Sequence, residues 1–141
     1  MNSAILPLFV AVPLLFAGGT ALLRGPLVQR TALLLASFLT LAGGVALLVF
    51  HQGTPALAHS IGSYLPGVGI VFVSDSLSAL LLVVVAFLTM VSGIFLMLTG
   101  EDRYRFVVPL ILMLSTGVNG ALLTGDLFNM FVWVEVMLLP S

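Results

Sequence analysis

Residues 76–99 read SLSALLLVVVAFLTMVSGIFLMLT, a stretch without one charged side chain. At 1.5 Å per residue, about twenty residues cross the ~30 Å hydrocarbon core of a bilayer, so this run is long enough to span one as a helix. It is apolar on nearly every face instead of alternating, which fits a buried membrane helix and not a half-buried strand. Outward from it, charges and turn clusters bound three further full runs of the same kind: Ala4–Leu23, Thr31–Phe50 and Phe106–Thr124. A fifth begins after Asp126 and occupies residues 127–141. The expected fold is an all-α membrane protein, one membrane domain over residues 1–141, with about five transmembrane helices of which the last is incomplete.

The composition agrees. Of 141 residues, 61% are hydrophobic and 6% charged, where an ordinary soluble domain has roughly a quarter charged. Nine charged side chains sum to −1 and none is a lysine, too few to cover the surface of a water-soluble globule. The same scarcity excludes nucleic acid and polybasic docking to a membrane surface, which both need clustered Lys and Arg. With no cysteine, disulfides, thiolate chemistry and Cys-ligated metals are excluded. No phosphate loop, Ser/His/Asp set or metal signature is present, so neither an enzyme nor a cofactor is expected. The lipid bilayer is the first partner.

The four arginines set the orientation. Arg24 and Arg30 fall between the first two runs, Arg103 and Arg105 between the third and fourth. Alternating spans place both connections on one side, which the positive-inside rule assigns to the cytoplasm. Residues 2–23 carry no charge, the reverse of a cleavable signal, so the first run reads as a retained span with its N-terminus outside. Pro7 and Pro13 within it are tolerated where neighbouring helices serve the freed carbonyls. The connection His51–Asp75 is then external and too long for a plain helix link. Tyr64-Leu65-Pro66-Gly67-Val68 reads as a turn and Ile70-Val71-Phe72-Val73 as an extended segment, giving a short external hairpin between helices 2 and 3. Ser74-Asp75-Ser76 is placed to cap the third helix. Gly18-Gly19, Gly43-Gly44 and Gly117-x-x-Gly120 are expected to let helices approach closely.

Every charge but one can sit at an interface. Glu135 follows Asp126 by nine residues, about 13.5 Å along a helix and so near the middle of a ~30 Å core. Its helical neighbours are Phe128, Phe131, Val132, Leu138 and Leu139, a desolvating face that favours the neutral carboxyl. An acid there removes on the order of 2.5–3.5 kcal/mol from insertion, which makes Glu135 a candidate proton- or cation-handling site. It has no basic partner in this sequence, because the arginines belong to the opposite surface. Asp126 reads as a helix cap with ion access as the alternative; Asn119 and Asn129 read as interhelical hydrogen-bond donors with an ion path as the alternative. His51 and His59 read as solvated loop histidines rather than metal ligands, Glu101-Asp102-Arg103-Tyr104-Arg105 as a solvated turn, and Trp133 as packing.

Thr124-Gly125-Asp126-Leu127-Phe128-Asn129-Met130-Phe131-Val132-Trp133-Val134-Glu135-Val136-Met137-Leu138-Leu139 resembles the fifth membrane helix of antiporter-like ion-pump subunits, and Gly69–Ser78 the approach to their third. The family includes large subunits of Mrp-type Na⁺/H⁺ antiporters and membrane subunits of NADH:quinone oxidoreductase; Gly-Asp-Leu-Phe-Asn followed by Phe-Val-x-x-Glu-Val is most similar to the D-type subunits of the Mrp group. The resemblance implies an N-terminal portion of one component of a hetero-oligomeric antiporter in the bacterial plasma membrane, with other subunits as partners and Na⁺ and H⁺ as transported ions. It further implies that Glu135 is a proton-translocation residue coupled to a lysine on a later helix, outside these residues. The alternatives are a proton-pumping membrane subunit of NADH:quinone oxidoreductase and a non-transporting membrane scaffold.

Overall fold

The computed structural model describes residues 3–23, 25–53, 56–61 and 69–141. A short 3₁₀ turn, Ser3–Ile5, leads into α1 (Leu8–Leu22) and α2 (Pro26–His51). Two strands follow, β1 (Leu57–Ile61) and β2 (Ile70–Ser74), then α3 (Ser76–Thr99), a 3₁₀ turn (Glu101–Arg103), α4 (Val107–Leu123) and α5 (Leu127–Leu138). Among the described residues the chain is thus predominantly helical. Ser3–Leu22, Pro26–His51 and Ser76–Thr99 are long and apolar enough to cross a membrane, whereas α4 and α5 are shorter apolar helices. Arg24 and the expected turn Tyr64–Val68 lie outside the described residues.

Helix α2 begins at Pro26, ahead of the expected Thr31. Proline suits the first helical position, where its fixed φ is already helical and its missing N–H would have no partner in any case. The earlier start carries Arg30 inside the helix. At the head of α3, Asp75 caps as the sequence suggests: its Oδ1 accepts the Ser78 N–H at 2.7 Å. At its foot Gly100 turns left-handed at φ 77° and its N–H bonds the Leu96 carbonyl, a conformation that costs glycine nothing.

Small residues set the helix contacts. A Cβ on Gly44 would touch Val83 of α3, and one on Gly93 would strike Leu33 of α2. Between α4 and α5, a Cβ on Gly117 would fall 2.8 Å from the Met137 backbone nitrogen, and one on Gly120 would enter the Trp133 ring. Gly43 meets Phe9 in the same way. Gly18-Gly19 departs from the expectation: nothing lies within 4 Å of either added Cβ, since Gly18 is exposed and Gly19 borders an open cleft between α1 and α2.

Helix α1 binds α4 through a polar pair. Pro13 has no N–H to offer the Phe9 carbonyl one turn earlier. Asn119, fully buried on α4, donates Nδ2–H to that carbonyl at 2.9 Å. Its role is interhelical satisfaction of a backbone acceptor. Asn119→Leu should therefore cost about 1–3 kcal/mol, the desolvation penalty of an orphaned polar group, and most of that cost should vanish in a Pro13→Ala background, where α1 serves its own carbonyl. Thermal unfolding of the four variants in nanodiscs checks the cycle.

The two ends of the bundle differ in chemistry. At one end β1 and β2 pair antiparallel, from Leu57↔Ser74 to Ile61↔Ile70. The other edge of β2 is occupied by the α4–α5 junction: Phe72 bridges Thr124, and the Gly125 N–H donates to the Val71 carbonyl at 2.8 Å. Leu6, Phe9, Leu47, Phe72, Leu82 and Leu123 form the core beneath these strands. At the opposite end, Ala17, Leu33, Ala36, Val108 and Leu112 form a second core under the arginine-bearing connections.

Candidate functional site

Helix α5 is capped by Asp126, whose carboxylate accepts the Phe128 N–H at 3.4 Å. Thr124 Oγ1 takes the Asp126 N–H and also accepts Asn129 Nδ2–H at 3.1 Å. Asp126 is thus a helix cap at the surface. Asn129 is buried, and its amide ties the first turn of α5 to the residue that pairs with β2.

Which way Glu135 points follows from the seam that holds α5. Asn129, Trp133 and Met137 recur every four residues and face α4, with Trp133 over Gly120 and Met137 over Gly117. Two residues beyond Trp133, at 100° per residue, Glu135 lies about 200° around the helix. It is exposed on the side turned away from the bundle. Phe128 (77% exposed) and Leu139 (75%) flank it, with Phe131 and Leu138 also exposed. The expected apolar surround is present as a face, but the described residues supply no cover for it. Asp126 and Asn129 sit at the start of the same helix, and Asn119 belongs to the α1–α4 contact, so the four polar candidates do not converge on one point.

Three readings of charged or polar residues are corrected by the structure. The segment 101–105 is not a solvated turn throughout, since Asp102 is 2% exposed. Its carboxylate is gripped by the Arg30 guanidinium, through Nε and, at 3.2 Å, through Nη2. Gln29 is buried beside it and donates to the carbonyls of Thr20 and Arg105. These contacts bring Arg30, Arg103 and Arg105 to one end of the bundle. His51, expected in solvent, is 7% exposed at the end of α2, with Leu47 and Ser74 carbonyls against its ring. His59 on β1 is half-buried and bonds Ser3 Oγ at 3.1 Å. Among the described residues, no three His, Asp or Glu side chains come together to hold a metal ion.

The Arg30 hydrogen bond, foremost, holds the Asp102 carboxyl below the usual carboxylate range against the opposing effect of burial. A carboxyl lower in the folded state than its unfolded value of ~3.9 adds stability above that value and loses it as pH falls through the folded one. Unfolding in nanodiscs should therefore show an acid limb below about pH 4 that flattens in Asp102→Asn.

No protein-family model matches the chain. Its likenesses lie with particular proteins. It is 32% identical over 143 residues to the D subunit of the Na⁺/H⁺ antiporter of Bacillus subtilis, covering 94% of this chain and 28% of that protein. It is 37% identical over 99 residues to the antiporter subunit mnhD2 of Staphylococcus haemolyticus, covering 69% of this chain and 20% of that protein. A chain in the Mrp complex from Dietzia sp. superposes with a TM-score of 0.93 at 45% identity, over 99% of this chain and 27% of that one. Fold and likeness together define a class, the multi-pass membrane subunits of multisubunit antiporters. Within it the chain is homologous to the D subunits of Mrp-type Na⁺/H⁺ antiporters, and it spans less than a third of the length of the relatives it matches.

Proposed function

We propose that these residues form part of a D-type subunit of a monovalent cation (Na⁺)/proton antiporter, in which Glu135 takes up and releases a proton during translocation. One observation carries the reading: an ionisable carboxyl sits on the outward, apolar face of α5, where its cost is tolerable only if it has work to do. The proposed cover for that face is protein of the assembled antiporter, other subunits among it, since lipid tails would leave the carboxyl without a hydrogen-bond partner. The residues 1–141 act as one membrane domain at the N-terminal side of such a subunit, with the arginine end in the cytoplasm and the strand end and N-terminus outside. The names of the relatives support exchange of Na⁺ for H⁺.

The test is Glu135→Gln in a full antiporter complex, assayed in everted vesicles by dequenching of a proton-gradient dye on Na⁺ addition. Exchange should fall while the complex still assembles. Undiminished exchange at equal expression removes the proposed role.

A further inference from the structure

His51 is the last residue of α2, and both nitrogens of its ring face backbone carbonyls. Nδ1 lies 2.7 Å from the Leu47 oxygen and Nε2 lies 2.9 Å from the Ser74 oxygen. Carbonyl oxygens only accept hydrogen bonds. A neutral imidazole has one N–H and one lone pair, so it can serve one of these oxygens and must aim its lone pair at the other. The doubly protonated ring donates to both. With the ring 7% exposed, water has little room to compensate, and an unserved buried acceptor is costly.

The surroundings suit a cation. Asp75, the residue after Ser74, is a charged neighbour at the head of α3. Its carboxyl is held below the usual range first by the Ser78 N–H.

We propose that His51 is a proton-binding site, separate from Glu135, whose bound proton fastens strand β2 to helix α2. The proton comes from water at the strand end of the bundle and returns there, and no covalent step is involved. Ser74 closes β2, and the opposite edge of β2 holds the α4–α5 junction through Phe72↔Thr124 and the Gly125 N–H on Val71. The Phe72 ring also lies 6.4 Å from the Trp133 ring on α5. Gain or loss of one proton at His51 therefore acts, through one short strand, on the start of the helix that bears Glu135. The binding site stands on its own geometry; its bearing on exchange rests on the proposed function.

Uniform ¹⁵N labelling of the full chain in nanodiscs, read at the His51 ring and at the Val73 and Gly125 amides, with His59→Gln to remove the other histidine of residues 1–141, tests this across about pH 5–8, where histidine titrates. The expected result is a ring carrying N–H on both nitrogens in the acid part of the range, with the Val73 and Gly125 amides shifting at the same midpoint. Loss of those amide shifts in His51→Gln, and their persistence in Glu135→Gln, supports the assignment and separates it from the role of Glu135. A ring that keeps one N–H throughout overturns the site. A ring that titrates while Val73 and Gly125 stay still overturns the fastening.

Discussion

Glu135→Gln is expected to lower Na⁺-driven proton exchange by at least about tenfold, equivalent to ~1.4 kcal/mol on a barrier, with no loss of assembled complex. The two halves of this expectation have separate causes. Glutamine keeps the shape of glutamate but cannot bind and release a proton near neutral pH, so any step that passes a proton through this side chain stops. Insertion of α5 should be no harder, because the substitution takes an acid off an apolar helix face. Activity and assembly therefore move in opposite directions, or assembly stays level. A carboxyl that only pins helix packing predicts the reverse pattern, with assembly falling and exchange per assembled complex intact. Glu135→Asp adds a second discrimination. It keeps the titratable group but draws it back by one methylene toward the flanking Phe131 and Leu138, both exposed on the same face, so exchange should be reduced and not abolished. Dye dequenching normalised to complex detected by immunoblot reads both quantities.

The helical runs are legible in the sequence because the signal is bulk hydrophobicity over lengths that water-soluble folds rarely use. The Asp75 cap and the glycine seam between α4 and α5 are equally local, needing only residue type and spacing. What escapes the sequence depends on contacts distant along the chain. Asp102 sits within a run of charges, and nothing nearby announces that Arg30, far earlier in the chain, will reach it and permit its burial. His51 follows Leu47-Leu48-Val49-Phe50 directly; hydropathy ends the run at the last apolar residue, although the helix and its burial continue through the histidine. A signal exists there: a histidine flush with the end of an apolar run is one residue from the core on either reading. The pairing of β2 with the α4–α5 junction has no sequence signature, since Thr124-Gly125 reads as a turn. The direction of Glu135 is available in principle. Once Gly117-x-x-Gly120 is taken as the floor of a helix contact and Trp133 as its filler, the two-residue step from Trp133 puts the acid on the far side.

Gly120→Leu is expected to displace α5 from α4, and the only tryptophan in the chain reports it. An added Cβ at Gly120 falls 2.6 Å from Trp133 Cε3 and 2.7 Å from Cε2, well inside van der Waals contact, so even alanine forces a shift. The indole also packs near Phe72, with ring centroids 6.4 Å apart at a 47° tilt. Its Nε1–H is buried without a partner among the described residues, so shape alone holds the ring and no hydrogen bond restrains the helix from moving as a body. One turn earlier, Gly117 lies against the Met137 backbone, and that contact opens together with the first. Overpacking of this kind costs typically about 1–3 kcal/mol, and leucine at a backbone-to-ring contact belongs at or above the upper end. The Trp133 emission of Gly120→Leu should change in wavelength and gain exposure to a lipid-phase quencher, while Gly18→Leu, on a face with nothing within 4 Å, leaves both as they were. Trp133→Leu should restore much of the lost stability to Gly120→Leu by vacating the ring's volume, giving a coupling energy of about 0.5–3 kcal/mol in a double-mutant cycle. Independent costs that merely add would show that the two side chains do not meet, and with that the placement of Glu135 on the opposite face of α5 would lose its foundation.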